Sequence, residues 1–324
     1  MKKILSPLII ALLIILAVVA VQYNYHKPVI KVKQLNNLGK PGKIARSIKE
    51  VLEERYRVVI ANEDYDIVIN DVFGSESIKD IFNPDAIKIF HTSEAYLPNL
   101  DDYDLAIGFD RVEDPKYIRY PNYYNEKVRV TDLPREGQGE CNPSKETFAC
   151  FLVSNGSKGA TGYDGTYMEG IKLRDDLFHK LSEYKWVASG GHHLNNIGGP
   201  IPHKNNKTKK WLAQCKFIIS YENQKHNGYL TEKAFQAYWG GAIPIYWGDQ
   251  SGMSDINKDA LIYADDFKSE EDLIEYIKKV DNDDELYCKI WNQHLVTNPE
   301  MNYEVIRNKL RTKLFKIIDS KLAI

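Results

Sequence analysis

Short apolar runs bounded by polar segments recur along most of this chain and predict strands. These runs are Asp66–Asn70, Ile87–His91, Leu105–Phe109, Phe148–Val153, Phe217–Ser220, Ile243–Trp247 and Ala260–Tyr263. Apolar residues with helical spacing predict helices at Lys43–Arg57, Asp175–Leu181, from Thr231 onward, and Leu273–Val280, the last with a capping Ser269. Strands that alternate with helices are typical of an α/β fold with parallel sheets.

The N-terminus carries a different pattern. Lys2 and Lys3 precede the uncharged apolar run Ile4–Val21, which is just long enough to span a bilayer. The run is longer than the core of a usual signal peptide, so an uncleaved anchor over residues 1–22 is favoured over cleavage near Ala20. The two lysines place this end in the cytoplasm and predict a type II orientation. Residues 22–32 are interpreted as a short stem.

The length of 324 residues suits two domains of ordinary size. A net charge of −2 argues against binding to duplex nucleic acid, which normally requires a strong basic excess. The four cysteines lack the paired spacing of a zinc site. A Cys141–Cys150 disulfide is one option in an oxidising compartment, and Cys215 is interpreted as a small buried apolar residue.

The segment Ser220–Lys233 joins a strand to a helix through a polar loop, and another strand follows at Ile243. This order is typical of sites that bind phosphate at a helix N-terminus. Lys233 would add a mobile cation, while Asn223, Tyr229 and Glu232 could hydrogen-bond a sugar or a base. The simpler alternative is that Thr231 is an ordinary N-cap and that Glu232 only complements the helix dipole.

Three segments resemble the signature of the α-1,3-fucosyltransferases, glycosyltransferase family 10: Tyr221-Glu222-Asn223, Tyr229-Leu230-Thr231-Glu232-Lys233, and Ala242-Ile243-Pro244-Ile245-Tyr246-Trp247-Gly248. The resemblance extends from about Ile67 to about Val280 and implies a GT-B-like fold of two Rossmann-like lobes with a cleft between them. A terminal basic amphipathic helix at 301–324 is predicted separately, from the helical spacing of Ile306, Leu310, Leu314 and Ile317, and packing on one of the lobes is favoured over contact with an anionic membrane surface. The resemblance implies an acceptor-side lobe at 23–140 and a lobe binding GDP-fucose at 141–300. It also implies inverting transfer of fucose to a hydroxyl of an acceptor sugar.

Glu94 is the candidate general base, because ligands gather where the strands of open α/β sheets end. In the resembling family a glutamate precedes a strand that Tyr103–Asp110 matches here, and that glutamate accepts the proton of the attacking hydroxyl. His91 is the alternative base, although its place at the end of an apolar run favours a buried, hydrogen-bonded role.

Arg174 matches the family arginine that binds the donor diphosphate, a task that suits the guanidinium fork. Without the family, an arginine beside Asp175 and Asp176 would be interpreted as part of a surface ion pair. Ser189–Gly191 and Asn195-Asn196 resemble the family's glycine-rich loop. Arg174, Lys233 and a helix N-terminus suffice to neutralise two phosphates, so no essential metal is expected. Stimulation by added Mn²⁺ or Mg²⁺ is compatible with this.

The leading hypothesis is therefore an inverting α-1,3-fucosyltransferase that uses GDP-fucose and a glycan acceptor of the N-acetyllactosamine type. Attack by O3 of N-acetylglucosamine is expected, and in a eukaryotic host the location would be a Golgi-like lumen. One alternative is a membrane-tethered, two-lobed sugar-binding protein without turnover. Another is the same fold with a different GDP-sugar as donor.

Overall fold

The described part of the chain is built on two sheets, the first of which is formed by the N-terminal strands. The structure is a computed structural model that describes residues 9, 26–35, 45–73, 77–81, 83–121, 139–157, 159–202, 207–296 and 303–322. The first sheet has the order β2-β1-β3-β4-β5-β6. Its strands are β1 (Val29–Gln34), β2 (Arg57–Ile60), β3 (Ile67–Asn70), β4 (Ile87–His91), β5 (Leu105–Gly108) and β6 (Tyr117–Arg119).

The second sheet has the order β11-β10-β9-β7-β8, and each of its neighbouring pairs is parallel. Its strands are β7 (Thr147–Phe151), β8 (Val187–Ser189), β9 (Cys215–Tyr221), β10 (Ile243–Trp247) and β11 (Ile262–Tyr263). The helices are α1 (Arg46–Arg55), α2 (Glu169–Tyr184), α3 (Lys207–Leu212), α4 (Glu232–Trp239), α5 (Glu270–Asn282), α6 (Asp284–Trp291) and α7 (Tyr303–Lys321). The predicted α/β class is confirmed.

The chain of the second sheet runs from β7 to β8 on one side and then crosses to β9, β10 and β11 on the other. This is a doubly wound order whose direction reverses between β7 and β9. Loops at the carboxyl ends of such a pair diverge and leave room for a ligand. The topology therefore directs attention to the residues after Phe151 and after Tyr221.

Contacts divide the chain into two compact units, and each has its own core. The first unit comprises residues 1–91, 99–106 and 307–324, and the second comprises 92–98 and 107–306. In the first unit, α7 buries Leu310, Leu314 and Ile318, and Phe315 packs on Tyr56 with ring centroids 6.3 Å apart. The terminal helix therefore packs within the first unit. The sequence favoured such packing over a membrane-surface role.

Most predicted strands are found within one or two residues of their expected bounds. The stem at residues 22–32 is wrong in its second half, because Val29–Gln34 forms β1 and pairs with both β2 and β3. The described residues contain no helix long and apolar enough to cross a membrane. The expected anchor Ile4–Val21 lies, apart from Ile9, outside them.

The Cys141–Cys150 disulfide, one option from the sequence, does not form. Cys141 is bonded to Cys288, and Cys150 is bonded to Cys215 across the neighbouring strands β7 and β9. Cys215 is fully buried as expected, but it is not a free thiol. The second disulfide therefore joins the two strands at which the sheet reverses its winding.

An ion cluster lies at the same, N-terminal end of β9 as this disulfide. The ammonium of Lys216 is buried and lies 2.7 Å from a carboxylate oxygen of Asp281 on α5. Lys185 also pairs with Asp281, whereas Tyr184 donates a hydrogen bond of 3.1 Å to it. Burial alone would raise the pKa of Asp281, but the two ammonium groups outweigh burial and lower it.

We predict that Asp281→Asn lowers the free energy of unfolding by about 3 kcal/mol, because it leaves the Lys216 ammonium buried without its anion. Glu275→Gln on the same helix removes an exposed pair with Lys278 and should cost less than about 1 kcal/mol. Denaturant unfolding of both variants checks this. Since the folded-state pKa of Asp281 is lowered, the difference from the native protein should be present above about pH 4 and vanish as the pH falls through that pKa. Equal losses in the two variants would contradict the assignment.

Candidate functional site

Helix α2 begins against the end of β9, and this contact sets the position of the site. The Gly170 N–H donates to the Asn223 carbonyl at 3.0 Å. A Cβ on Gly170 would lie 2.0 Å from the Glu222 carbonyl oxygen, so only glycine permits this approach. One turn further along the helix, Arg174 consequently faces the loop that follows β9.

Arg174 is buried, with 3% of its surface exposed, and its guanidinium bridges two loops. Nη1 donates to Asn223 Oδ1 at 2.8 Å, and Nη2 donates to the Asn155 carbonyl at 2.6 Å. These acceptors follow β9 and β7, the pair at which the winding reverses. Nε is buried and has no hydrogen-bond partner in the described part of the chain. Burial lowers the pKa of Arg174, whereas Asp175 and Glu222 raise it, and the group remains a cation with one unused donor.

The surface-ion-pair interpretation of Arg174 is wrong. The Asp175 carboxylate is buried, and each of its oxygens lies 2.9 Å from His193 Nε2. Asp176 instead pairs with Lys172 one helical turn earlier. Both acidic neighbours are therefore directed at other cations or donors, and the Arg174 side chain points toward the loops.

Glu222 is the residue whose role the sequence did not reveal. It is fully buried and accepts hydrogen bonds from the Thr231 N–H at 2.8 Å and from the Thr231 hydroxyl at 2.7 Å. Lys233 Nζ donates to it at 3.0 Å, and the Tyr246 hydroxyl donates at 3.3 Å. A glutamate directly after a fully buried strand was the available signal, because such a carboxylate requires compensation.

Lys233 is not the mobile cation expected from the sequence. Besides Glu222, it bonds the Thr231 hydroxyl at 2.9 Å and lies 3.8 Å from a Glu232 carboxylate oxygen. Burial would lower the pKa of Lys233, but Glu222 and Glu232 outweigh it and raise the pKa. A quarter of the side chain stays exposed, and these contacts fix the ammonium in place.

Thr231 occupies the N-cap position of α4, but its side chain does not cap the helix. The hydroxyl donates to Glu222 instead of accepting from the first turn. The carboxylate of Glu222 thus binds both the N–H and the hydroxyl of the N-cap residue. The ordinary N-cap interpretation therefore fails for the Thr231 hydroxyl.

Glu94 lies in the short segment of the second unit formed by residues 92–98. Its neighbour Ala95 packs with Phe109 and Tyr229, whose rings are 4.8 Å apart. Partial burial raises the pKa of Glu94, Lys233 lowers it, and Glu232 and Glu222 raise it further. The structure therefore brings Glu94 within electrostatic range of Lys233 and both other glutamates.

Tyr229 completes this group. Its side chain is buried, and burial together with Glu222, Glu94 and Glu232 raises the pKa of its hydroxyl well above the ordinary value. The phenol is therefore neutral and available as a hydrogen-bond donor. All six residues predicted for the site, together with Glu222, belong to the second unit.

Comparison with known proteins identifies the family. The family model described as glycosyltransferase family 10 (fucosyltransferase) C-term matches residues 142–314. The model of the alpha-(1,3)-fucosyltransferase FucT N-terminal domain matches residues 35–125. The chain belongs to glycosyltransferase family 10.

Relatives of this family 10 chain include the alpha-(1,3)-fucosyltransferase FucT of Helicobacter pylori, which is 29% identical over 264 residues, 70% of this chain and 52% of the relative. The mouse 4-galactosyl-N-acetylglucosaminide 3-alpha-L-fucosyltransferase 9 is 28% identical over 46% of this chain and 38% of the relative. The chain thus spans about half or less of the length of these curated relatives. A crystal structure of an α1,3-fucosyltransferase aligns over 91% of both chains with a TM-score of 0.70 and 25% identity.

Two other features of the family 10 sequence were expected near the site. His91 ends β4 in the first unit, and burial lowers its pKa to about 4, so it is neutral at physiological pH and a weak base. The glycine-rich loop after β8 uses its polar side chains internally. Asn196 accepts from the Ser189 N–H at 2.7 Å, and Asn195 donates to the Gly191 carbonyl at 2.7 Å.

We predict that Glu222→Gln lowers the free energy of unfolding of the family 10 fold by about 3 kcal/mol, because it leaves the Lys233 ammonium without its buried anion. The matched control is Glu271→Gln, which removes a largely exposed partner of Lys180 and should cost below about 1 kcal/mol. Denaturant unfolding measures both. If Lys233→Met in the Glu222→Gln background restores no stability, the compensation between the two charges is refuted.

Proposed function

We propose that this chain transfers fucose from GDP-fucose to a hydroxyl of a glycan acceptor. The observation that carries the proposal is the buried Arg174 guanidinium, which has an unused Nε–H where the second sheet reverses its winding. An unsatisfied buried cationic donor is costly, and an anionic ligand would satisfy it. A diphosphate supplies several oxygens of suitable geometry for a guanidinium fork.

Membership of family 10 supports fucose as the transferred sugar, since the relatives are named as fucosyltransferases. A solved α1,3-fucosyltransferase with GDP-fucose has a TM-score of 0.69 and 24% identity to this chain, which speaks for the shared fold. The guanosine diphosphate donor is therefore part of the proposal. Asn223, Tyr229 and Glu232 would bind its ribose and fucose, and Arg174 with Lys233 would bind its phosphates.

The proposed reaction inverts the configuration at the fucose C1. The acceptor oxygen, O3 of N-acetylglucosamine in an N-acetyllactosamine-like glycan, forms a bond to C1 while the bond from C1 to the phosphate oxygen breaks. GDP leaves with the electron pair, and Arg174 stabilises the charge that accumulates on it. Glu94 accepts the proton of the attacking hydroxyl. Its raised pKa supports this role, because a base works best when its pKa lies nearer the working pH.

The first test measures GDP release from GDP-fucose in the presence of an N-acetyllactosamine acceptor, with product linkage determined. Glu94→Gln should lower kcat by at least about 100-fold and leave the Kd for GDP unchanged. Arg174→Lys should weaken GDP binding about tenfold, because a lysine cannot reproduce the guanidinium fork. The exposed Glu113→Gln serves as the control for a glutamate outside the site. In the native protein kcat should fall as the pH falls through the raised pKa of Glu94.

Three other outcomes would contradict parts of this proposal. GDP binding without any turnover in the native protein would contradict the transferase and support a sugar-binding protein. Turnover with GDP-mannose, but not with GDP-fucose, would retain the fold and change the donor. Full activity of Glu94→Gln would remove that residue from the proposed chemistry.

We also propose that Ile4–Val21 anchors the chain in a membrane, with Lys2 and Lys3 on the cytoplasmic side. The full chain should then stay in the membrane pellet after alkaline carbonate extraction, whereas a variant without residues 1–22 should enter the supernatant. A supernatant species whose mass shows loss of the first twenty or so residues would indicate a cleaved signal peptide. A Golgi-like location applies only if the host has such a compartment.

A further inference from the structure

His226, in the loop between β9 and α4, lies between two carboxylates. Its Nε2 is 2.9 Å from Asp110 Oδ1, and its Nδ1 is 3.4 Å from Asp164 Oδ2. The imidazole is largely buried, with 14% of the side chain exposed, and the Asp110 side chain is 3% exposed. The signature segments quoted above do not include this position.

The two contacts indicate the charge of the ring. A neutral imidazole carries one N–H, so one of its nitrogens would present a lone pair to a carboxylate. The imidazolium carries a proton on each nitrogen and can face both anions. Nε2 makes no well-aligned hydrogen bond in the described part of the chain, so the contact with Asp110 is chiefly electrostatic. Burial would lower the pKa of His226, but Asp110 and Asp164 outweigh it and raise the pKa.

The two carboxylates belong to different segments of the second unit. Asp110 follows Phe109, whose ring packs on Tyr229, and the Tyr117 hydroxyl accepts from the Asp110 N–H at 2.8 Å. Asp164 sits at the tip of a small hairpin in which Thr161 is bridged to Tyr167. His226 is therefore the link through which the loop after β9 contacts both segments by charge.

A second contact ties the hairpin to the same loop. Gln224 Nε2 lies 3.3 Å from both oxygens of Asp164. A Cβ on Gly162 would be 2.1 Å from Gln224 Oε1, so the hairpin approaches the loop closely. Gln224 follows Asn223, which bonds Arg174. Displacement of the hairpin would thus be transmitted to the loop that carries the Arg174 acceptor.

The other charged groups around His226 have partners of their own. Arg111 and Arg119 both pair with the buried carboxylate of Asp255. Lys225, the residue before His226, pairs with Asp265 at 2.6 Å. Tyr117 remains a neutral phenol, because burial and then Asp110 raise its pKa far above the ordinary value. Among the contacts described, His226 is therefore the positive group that faces both Asp110 and Asp164.

We propose that His226, as an imidazolium held between Asp110 and Asp164, is a positioning residue for the nucleotide. It fixes the loop 222–231 against the hairpin 161–167 and the segment after β5, and so presents Asn223 and Tyr229 to the ligand. The inference rests on the proposed function for the identity of the nucleotide, GDP or GDP-fucose. His226 would act through Asn223 and Tyr229, not on the reacting atoms.

The sign of the pH dependence follows from the raised pKa of His226. The interaction is fully present below about pH 6.5, the ordinary pKa of histidine, and is lost as the pH rises through the raised pKa. As the pH rises, affinity for GDP should therefore fall and the KM for GDP-fucose should increase. Deprotonation of His226 should itself change kcat little, because the bound state that reacts retains the same base and cations.

The test measures the Kd for GDP by calorimetry between pH 5.5 and 8.5 in three variants and the native protein. His226→Gln, which cannot carry charge, should weaken binding about fivefold at pH 6 and have nearly the native affinity at pH 8.5. Asp164→Asn should keep a pH-dependent affinity but shift its midpoint to lower pH, because one stabilising anion is gone. His179→Gln, at an exposed position on α2, is the matched control and should behave as the native protein. The titration of GDP itself is common to all four.

An unchanged pH profile in folded His226→Gln protein would overturn the proposal, and so would an Asp164→Asn midpoint equal to that of the native protein. A melting temperature for each variant establishes whether it is folded. If His226→Gln does not fold, the pH midpoint of Asp164→Asn still tests the proposal. Turnover assays at pH 6 distinguish failure of the proposed function from failure of the role of His226. Absent turnover with intact, pH-dependent GDP binding contradicts the proposed function and leaves the role of His226 standing.

Discussion

The buried carboxylate of Glu222 is the constraint on which the site depends. It ends the central strand β9 and is fully enclosed, so its charge must be matched from inside the fold. The match comes from Thr231 at the N-cap of α4 and from Lys233 in the first turn. The same contacts therefore join the end of β9 to the start of α4 and fix a lysine in place. Arg174 keeps an unused donor, its Nε–H, within the described part of the chain.

The balance of charge around this constraint couples ligand binding to the proposed base. Three carboxylates, those of Glu94, Glu222 and Glu232, share the site with Arg174 and Lys233. A bound diphosphate adds negative charge and engages the same cations, so it should raise the pKa of Glu94 further. The proposed base would become stronger when the donor is in place and weaken again after GDP leaves. Burial of Glu94 acts in the same direction.

The sequence predicted the elements whose pattern reflects burial on both faces. The apolar run at Phe217–Ser220 forms the middle of β9, each residue of which is buried. Strand β1 was missed because Lys31 and Lys33 interrupt its apolar residues, and the preceding anchor-like run made it look like a stem. The disulfides were out of reach for another reason. Cys141 and Cys288 are 147 residues apart with Cα atoms at 5.7 Å, a proximity that only the tertiary fold creates.

Site residues divide in the same way. Glu94 and Arg174 were identified because a family motif surrounds them, whereas the engagement of Lys233 was not foreseen. A Thr-Glu-Lys segment has the same sequence whether its lysine is free or paired. The lysine is paired here because Glu222 is buried beside it. This fact changes how a phosphate would bind. A diphosphate that contacts Lys233 must share the ammonium with Glu222, so the lysine supplies less net attraction than a free cation would. Arg174 then contributes more of the binding free energy, because its remaining donor has no competing acceptor in the described part of the chain.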